Sequence, residues 1–337
     1  PPALRSCAGP YSISKGASEG SYTLTRTTRS RSENEAFSSR RGRPKTIRFR
    51  AAATPDDAFG LFTKGEVDIA PVPISAFPEV TSRPGFHRAA TSEVTYLAFG
   101  ANAPPTNDRF LRRAVSLAID RLVVIDAAFG DGREPALRWL KTNTGGEIPP
   151  ACVSFIRRIS DPARAKSTLS QSVADPSQLK LTLHFDKTDV QRLVVEALQV
   201  EMKDILGIQV EVDGQETPGF QQTLQPGAEG VWLLRSDLGI SSGHGALGSL
   251  LSAGSPLQRL GYADPALDAS LLAADSATGP EQRKAWGTVE EGVCDEMQVT
   301  PLWFGVRNWM FAPGIFRKSD GSELGSMGEP RLRDLPV

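Results

Sequence analysis

Residues 179–212 read LKLTLHFDKTDVQRLVVEALQVEMKDILGIQVEV, and this stretch decides the fold class. Leu179, Leu181, Leu183 and Phe185 alternate as in a half-buried strand, while Val190, Leu193, Val194, Ala197, Leu198 and Ile205 mark one face of a helix. Gly207 stops that helix, and Ile208, Val210 and Val212 resume the alternation. Strand, helix and strand within so short a span make a βαβ unit, hence parallel pairing through a right-handed crossover. The class is therefore α/β.

The same patterns extend to both sides. Tyr22–Thr27 and Thr46–Phe49 read as strands around a polar loop at Thr28–Arg43. Pro55–Lys64 reads as a helix capped by Thr54, and strands follow at Val67–Ile69 and Val94–Phe99. Asn107–Phe129 reads as one long helix, capped by Thr106 and closed by Gly130 and Gly132. A looser stretch over 131–160 holds Gly145-Gly146 and Pro149-Pro150. Further on come a strand at Gly230–Leu234, helices at Pro265–Ala274 and Pro280–Met297, and an aromatic tail with Trp303, Phe304, Trp309 and Phe311.

The 337 residues are 39% hydrophobic and 23% charged with a net charge of −1, a globular composition and not a disordered one. No apolar run approaches the ~20 residues of a transmembrane helix. The small net charge hides an asymmetry: residues 1–50 carry eleven Lys/Arg against three Glu, or +8, and the rest carries −9. No aromatics interleave with the arginines, so the block reads as a solvated hairpin and no nucleic-acid partner is expected; docking of anionic lipid or protein by residues 26–50 is a weaker alternative. The chain starts Pro-Pro with neither an initiator Met nor a signal peptide, and reads as a processed or partial chain. Cys7, Cys152 and Cys294 cannot make a full disulfide framework, and no CxxC or Cys/His cluster offers a metal site. His87, His184 and His244 stand apart, with His184 reading as a surface or core-edge residue. There is no GxSxG elbow or P-loop, and Glu290-Glu291 read as solvated helix charges. No enzyme activity, cofactor or catalytic residue is expected.

A collinear series of segments resembles the family 5 extracellular solute-binding proteins of ABC importers, the dipeptide- and oligopeptide-binding proteins. Ala8-Gly9-Pro10-Tyr11 is similar to that family's TGPY segment, and Lys64-Gly65-Glu66-Val67-Asp68-Ile69 to its glycine turn and strand. Tyr96-Leu97-Ala98-Phe99, Pro104-Pro105, Asp108 to Ala114 and Ala118-Ile119-Asp120-Arg121 resemble its hinge strand and following helix. Asp161 to Lys166, Gly207 to Val210, Gly261 to Asp268 and Thr300-Pro301-Leu302-Trp303 continue the match, which runs from about residue 7 to 318.

The resemblance implies a two-lobed, periplasmic-binding-protein-like (type II) clamp with its first lobe incomplete at the N-terminus, because the family's chains are longer. Residues 1–172 would be part of the first lobe, 173–297 the second lobe, and 298–337 a return to the first. It also implies an extracytoplasmic protein that delivers a peptide or similar small solute to an ABC permease, held at the membrane only by a lipid anchor absent from this chain. The alternative is a regulatory or scaffolding protein of the cell envelope that keeps the fold.

In the peptide-binding members a strand-end Asp pairs with the peptide ammonium, since a cation buried between lobes must meet an anion. Asp237, in Trp232-Leu-Leu-Arg-Ser-Asp237, is the matching position here. Leu234 stands where the family has an aromatic, and Ser241-Ser242-Gly243 replace its Asp-Pro. Arg235 is placed either to meet a ligand carboxylate or to neutralise Asp237. Trp303 and Phe304 match the region of the family's pocket aromatics, and Tyr96 and Asn102 lie near the first-lobe hinge. Arg112, Ala114 and Asp120 match the pattern as helix-scaffold positions.

Overall fold

The computed structural model describes residues 11–15, 19–26, 44–130, 132–140, 150–156, 159–172, 175–237, 243–315 and 330. Ala8–Pro10, most of the Arg-rich segment, Cys7, Gly145-Gly146 and Ser241 lie outside them. The chain divides into two compact units, residues 1–89 with 307–337 and residues 90–306.

In the first unit, β1 (Tyr11–Lys15), β2 (Tyr22–Arg26) and β3 (Thr46–Phe49) form an antiparallel sheet in that order. Tyr22 stacks on Phe49 across the β2/β3 pair, with ring centroids 4.4 Å apart. Helix α1 (Pro55–Thr63) opens with a capping box, the Thr54 and Asp57 side chains each accepting from the other's backbone N–H. β4 (Ile69–Pro71) pairs with Trp309, Met310 and Phe311, and Val72, Phe77, Val80 and Met310 form a small core.

The second unit holds the βαβ element. β5 (Phe86–Phe99) enters it from residue 90 on, and antiparallel β9 (Val231–Asp237) pairs with it. β9 pairs in parallel with β7 (Lys180–Asp186), and β7 in parallel with β8 (Gln209–Gln215). Helix α6 (Asp189–Glu201) makes the crossover, and Gly207 follows it with a left-handed φ of 74°. β10 (Val299–Phe311) borders β5, and the two-residue β6 (Glu134–Pro135) pairs with Trp303 and Phe304.

Alternate side chains of this sheet enter two different cores, as the period of two requires. Val94, Tyr96, Ala98, Trp232 and Leu234 pack on one face with Trp139, Leu140 and the helices α7 (Pro265–Ser276) and α8 (Gly279–Glu296). Leu97, Phe99, Leu181, Leu183, Phe185, Val231 and Leu233 pack on the other. There they meet α2 (Arg109–Ala118), α3 (Arg121–Phe129), α5 (Pro162–Leu169) and α6. Helices therefore cover both faces of a mixed sheet.

Three expectations are corrected. The single helix over 107–129 is two: Ile119 is extended, and the Asp120 side chain accepts from Leu122 and Val123 N–H to start α3 anew. The cap of α2 is Asp108, while Thr106 donates its hydroxyl to Gly100 and Ala103 carbonyls. Glu290 is not solvated but fully buried. Its carboxylate is paired with Arg138 at 2.5 Å and accepts the Trp139 and Leu140 N–H groups at 2.8 and 2.9 Å.

One helical turn beyond Glu290, Cys294 is disulfide-bonded to Cys152 of α4 (Pro150–Phe155), with Cα atoms 5.0 Å apart. One face of α8 thus holds both Arg138–Leu140 and Cys152. Arg112 and Arg113 close the C-terminal end of α8, donating to the Glu296 and Asp295 carbonyls, where cations oppose the negative end of the helix dipole. These ties bind Arg112, Arg113, Arg138 and Cys152 to α8, and the compact units divide at 89/90 and 306/307.

Candidate ligand-binding site

The β5/β9 register carries the side chains that sequence reasoning singled out. Glu93 stands opposite Asp237, Thr95 opposite Arg235, and Tyr96 opposite Leu234. Glu93, Thr95, Arg235 and Asp237 therefore share one face of the ladder, the face that further along carries Leu97 and Leu233. Where that face leaves the core its composition turns polar. Glu93 is only a third exposed, and its Oε2 lies 3.7 Å from Nε of the outward-reaching Arg235. The Thr91 hydroxyl accepts the Glu93 N–H at 3.1 Å. On β10 a Cβ at Gly305 would stand 2.5 Å from the Thr91 hydroxyl and 2.9 Å from Glu93 Cβ, so only glycine lets these side chains lie there.

The opposite face supports this end of the ladder from within. Tyr96 is fully buried, shares a 3.1 Å hydrogen bond with the Ser236 hydroxyl and meets Trp139 edge-on. Burial pushes its phenol up to about 12, with the Ser236 bond opposing the rise. Trp139 is held by the Glu290 carboxylate through its backbone, and among the described residues its buried indole N–H has no hydrogen-bond partner. The structure thus strings Glu290, Trp139, Tyr96 and Ser236 together behind the end of β9.

The remaining predicted positions fall as follows. Asp237 ends β9 with its backbone on the polar face, and Ser241 lies outside the described residues. Leu234 is a core side chain, packed in the cluster that holds Trp139. Trp303 and Phe304 are consecutive strand residues and enter different cores; Trp303 meets Phe129 edge-on with centroids 5.5 Å apart. Asn102 is exposed and donates to the Gly261 carbonyl at 3.0 Å, tying down the turn before Tyr262. Of the predicted residues, Arg235, the backbone of Asp237 and, from behind, Tyr96 lie at one end of the β5/β9 ladder; Trp303, Phe304, Leu234 and Asn102 make packing or loop contacts. Sequence reasoning passed over Glu93, Ser236 and Gly305, although the polar-apolar alternation of Glu93, Thr95 and Leu97 carried the signal.

His184, read as a surface or core-edge residue, lies at the core edge: it stacks on Trp232 with centroids 4.6 Å apart, and its ring nitrogens meet Asp213 Oδ2 and the Glu229 carbonyl. No group of three or more His, Cys, Asp or Glu side chains suited to a metal occurs among the described residues. Among them, too, no helix is long and apolar enough to cross a membrane.

A mixed sheet covered by helices, entered by two long strands from a smaller unit, has the fold of the type II periplasmic binding proteins. The family profile described as "Bacterial extracellular solute-binding proteins, family 5 Middle" matches residues 6–255, and the chain belongs to that family. It is 31% identical over 123 residues to the periplasmic murein peptide-binding protein MppA of Escherichia coli, covering 36% of this chain and 23% of that protein. It is 23% identical over 217 residues to the nickel-binding periplasmic protein of the same organism, covering 59% of this chain and 40% of that protein. The crystal structure of the ABC transporter substrate binding protein CtaP from Listeria monocytogenes superposes with a TM-score of 0.79 at 19% identity. That match covers 98% of this chain and 66% of CtaP, so the chain spans about two thirds of its structural relative and less of the curated ones.

Proposed function

We propose that this chain is the solute-binding part of an extracytoplasmic receptor for an ABC importer, and that it takes a peptide or similar small solute at the polar end of the β5/β9 ladder. Its role is binding without chemical conversion, and the partner that receives the solute is an ABC permease. The observation that carries the reading is the family match over residues 6–255 together with the polar rim of Glu93, Arg235 and Asp237 at the end of β9. The relatives named above bind murein peptide or nickel, or are substrate-binding proteins of an ABC transporter, which supports solute binding as the shared role. A buried Cys152–Cys294 disulfide supports an oxidising compartment outside the cytoplasm, where such bonds persist. A lipid anchor of the kind the family resemblance implies would hold the protein there. No observation favours the scaffolding alternative.

Thermal-shift screening of the protein against pools of di- and tripeptides, sugars and metal chelates tests the reading. A rise in midpoint with a solute pool that saturates with concentration is expected. A midpoint that no pool moves would refute it.

A further inference from the structure

The small sheet of the first unit has an apolar face with no core behind it. Ile13, Leu24 and Ile47 stand in register as an aliphatic row across its three strands. On the same face the stacked rings of Tyr22 and Phe49 lie to one side of that row, and Arg26 and Lys45 lie to the other. Ser12, Thr23, Thr25 and Arg48 take the opposite, polar face. An antiparallel sheet with one apolar face ordinarily closes it on a core. Here none of the described side chains of β1, β2 and β3 is buried, Ile13 is 41% exposed, and no member of the sheet enters any of the three cores.

Charge selects what covers this face. Arg26 and Lys45 bracket residues 27–43, whose sequence holds five arginines against two glutamates, and residues 1–50 carry +8 in a chain of net charge −1. A face meant for a protein core needs apolar side chains only. An aliphatic row edged by aromatic rings and by cations has instead the composition of a membrane–water interface, where rings sit at headgroup level and Lys and Arg reach outward to the phosphates. The positive sign fits an anionic surface.

We propose that this face docks peripherally on an anionic lipid bilayer, with Ile13, Leu24 and Ile47 at the acyl boundary and Arg26 and Lys45 on the headgroup phosphates. The inference concerns where the protein is held and not what it carries, so it stands or falls apart from the solute-binding reading.

Co-sedimentation of the full chain with vesicles of phosphatidylcholine alone, and of phosphatidylcholine mixed with phosphatidylglycerol, tests it. Binding to the mixed vesicles alone is expected, strong at about 0.05 M salt and lost by about 0.5 M as the charges are screened. Lys45→Glu removes one attraction and adds one repulsion, each about five-fold, so it should weaken binding on the order of twenty-fold. Arg48→Glu makes the same charge change on the opposite face, and screening over about 10 Å should leave it the smaller effect. Ile13→Ser should weaken binding about five-fold at an unchanged thermal midpoint, because Ile13 supports no core. No binding to the mixed vesicles at low salt would overturn the inference. So would equal losses in Lys45→Glu and Arg48→Glu with wild-type binding in Ile13→Ser, the signature of charge attraction without a docked face. Self-association in solution that Ile13→Ser abolishes, with no vesicle binding, would assign the face to a protein partner and likewise overturn it.

Discussion

Removing the Cys152–Cys294 disulfide should destabilise the second unit strongly, and the structure sets the scale. The bond joins residues 142 apart in sequence, and both sulfurs are fully buried. Releasing a loop of that length from the denatured chain corresponds to roughly 5 kcal/mol of chain entropy, with measured losses for native disulfides of about 2–5 kcal/mol. Since about 1 kcal/mol moves the midpoint of a domain of this size by roughly 2–4 °C, the double variant Cys152→Ala/Cys294→Ala should unfold about 10 °C lower. Alanine is the right replacement, because serine would bury two hydroxyls in an apolar cluster. Circular dichroism at 222 nm reads the midpoint. Alkylation of the wild type in denaturant without reductant should label one of the three cysteines, and after reduction all three. A midpoint within ~2 °C of wild type, or three labelled cysteines before reduction, would refute the reasoning.

Glu290→Gln keeps an acceptor for the Trp139 and Leu140 N–H groups but takes the carboxylate from buried Arg138, and should cost about 3 kcal/mol in chemical denaturation. Because Glu290 and Cys294 lie one turn apart on α8, its effect should fall short of additivity with disulfide removal; strict additivity would show that the two ties act on separate segments. Burial raises the Tyr96 phenol from its ordinary 10 to about 12, so the folded state holds its proton longer than the unfolded chain. Stability from this residue is whole below pH 10 and is lost as pH climbs from 10 to 12, by up to about 3 kcal/mol. Alkaline unfolding followed at 295 nm should therefore shift to higher pH in Tyr96→Phe, and an unshifted profile would exclude that role. Gly305→Ala should press on Thr91 and Glu93 and weaken solute affinity several-fold with little change in far-ultraviolet dichroism; unchanged affinity would place the ligand away from this rim.

Much of the fold was legible because its signals are local. The alternation of β7 and β8 and the helical spacing between them needed only residues 179–212, and the structure keeps each element. The break at Ile119-Asp120 was hidden because the apolar spacing continues across it, while the capping carboxylate of Asp120 was the cue. The site was legible only in part. Asp237 and Arg235 sit at a strand end that the motif order marks, but the partner strand that brings Glu93 to them lies about 140 residues earlier, and pairing at that distance leaves no local pattern. Trp303 and Phe304 look alike in sequence, yet the period of two sends them into different cores. Glu290 looked like any helix-surface acid, because what buries it, the turn at Arg138–Leu140, comes from a distant and irregular segment.

Binding of a solute at the β5/β9 rim can be measured by heat. Isothermal titration of ligand-stripped protein with the di- and tripeptide pool, run alongside Asp237→Asn and Glu93→Gln, tests it most directly. Saturable heat is expected for the wild type, with at least about ten-fold weaker binding in each variant. Equal binding by all three proteins would contradict it.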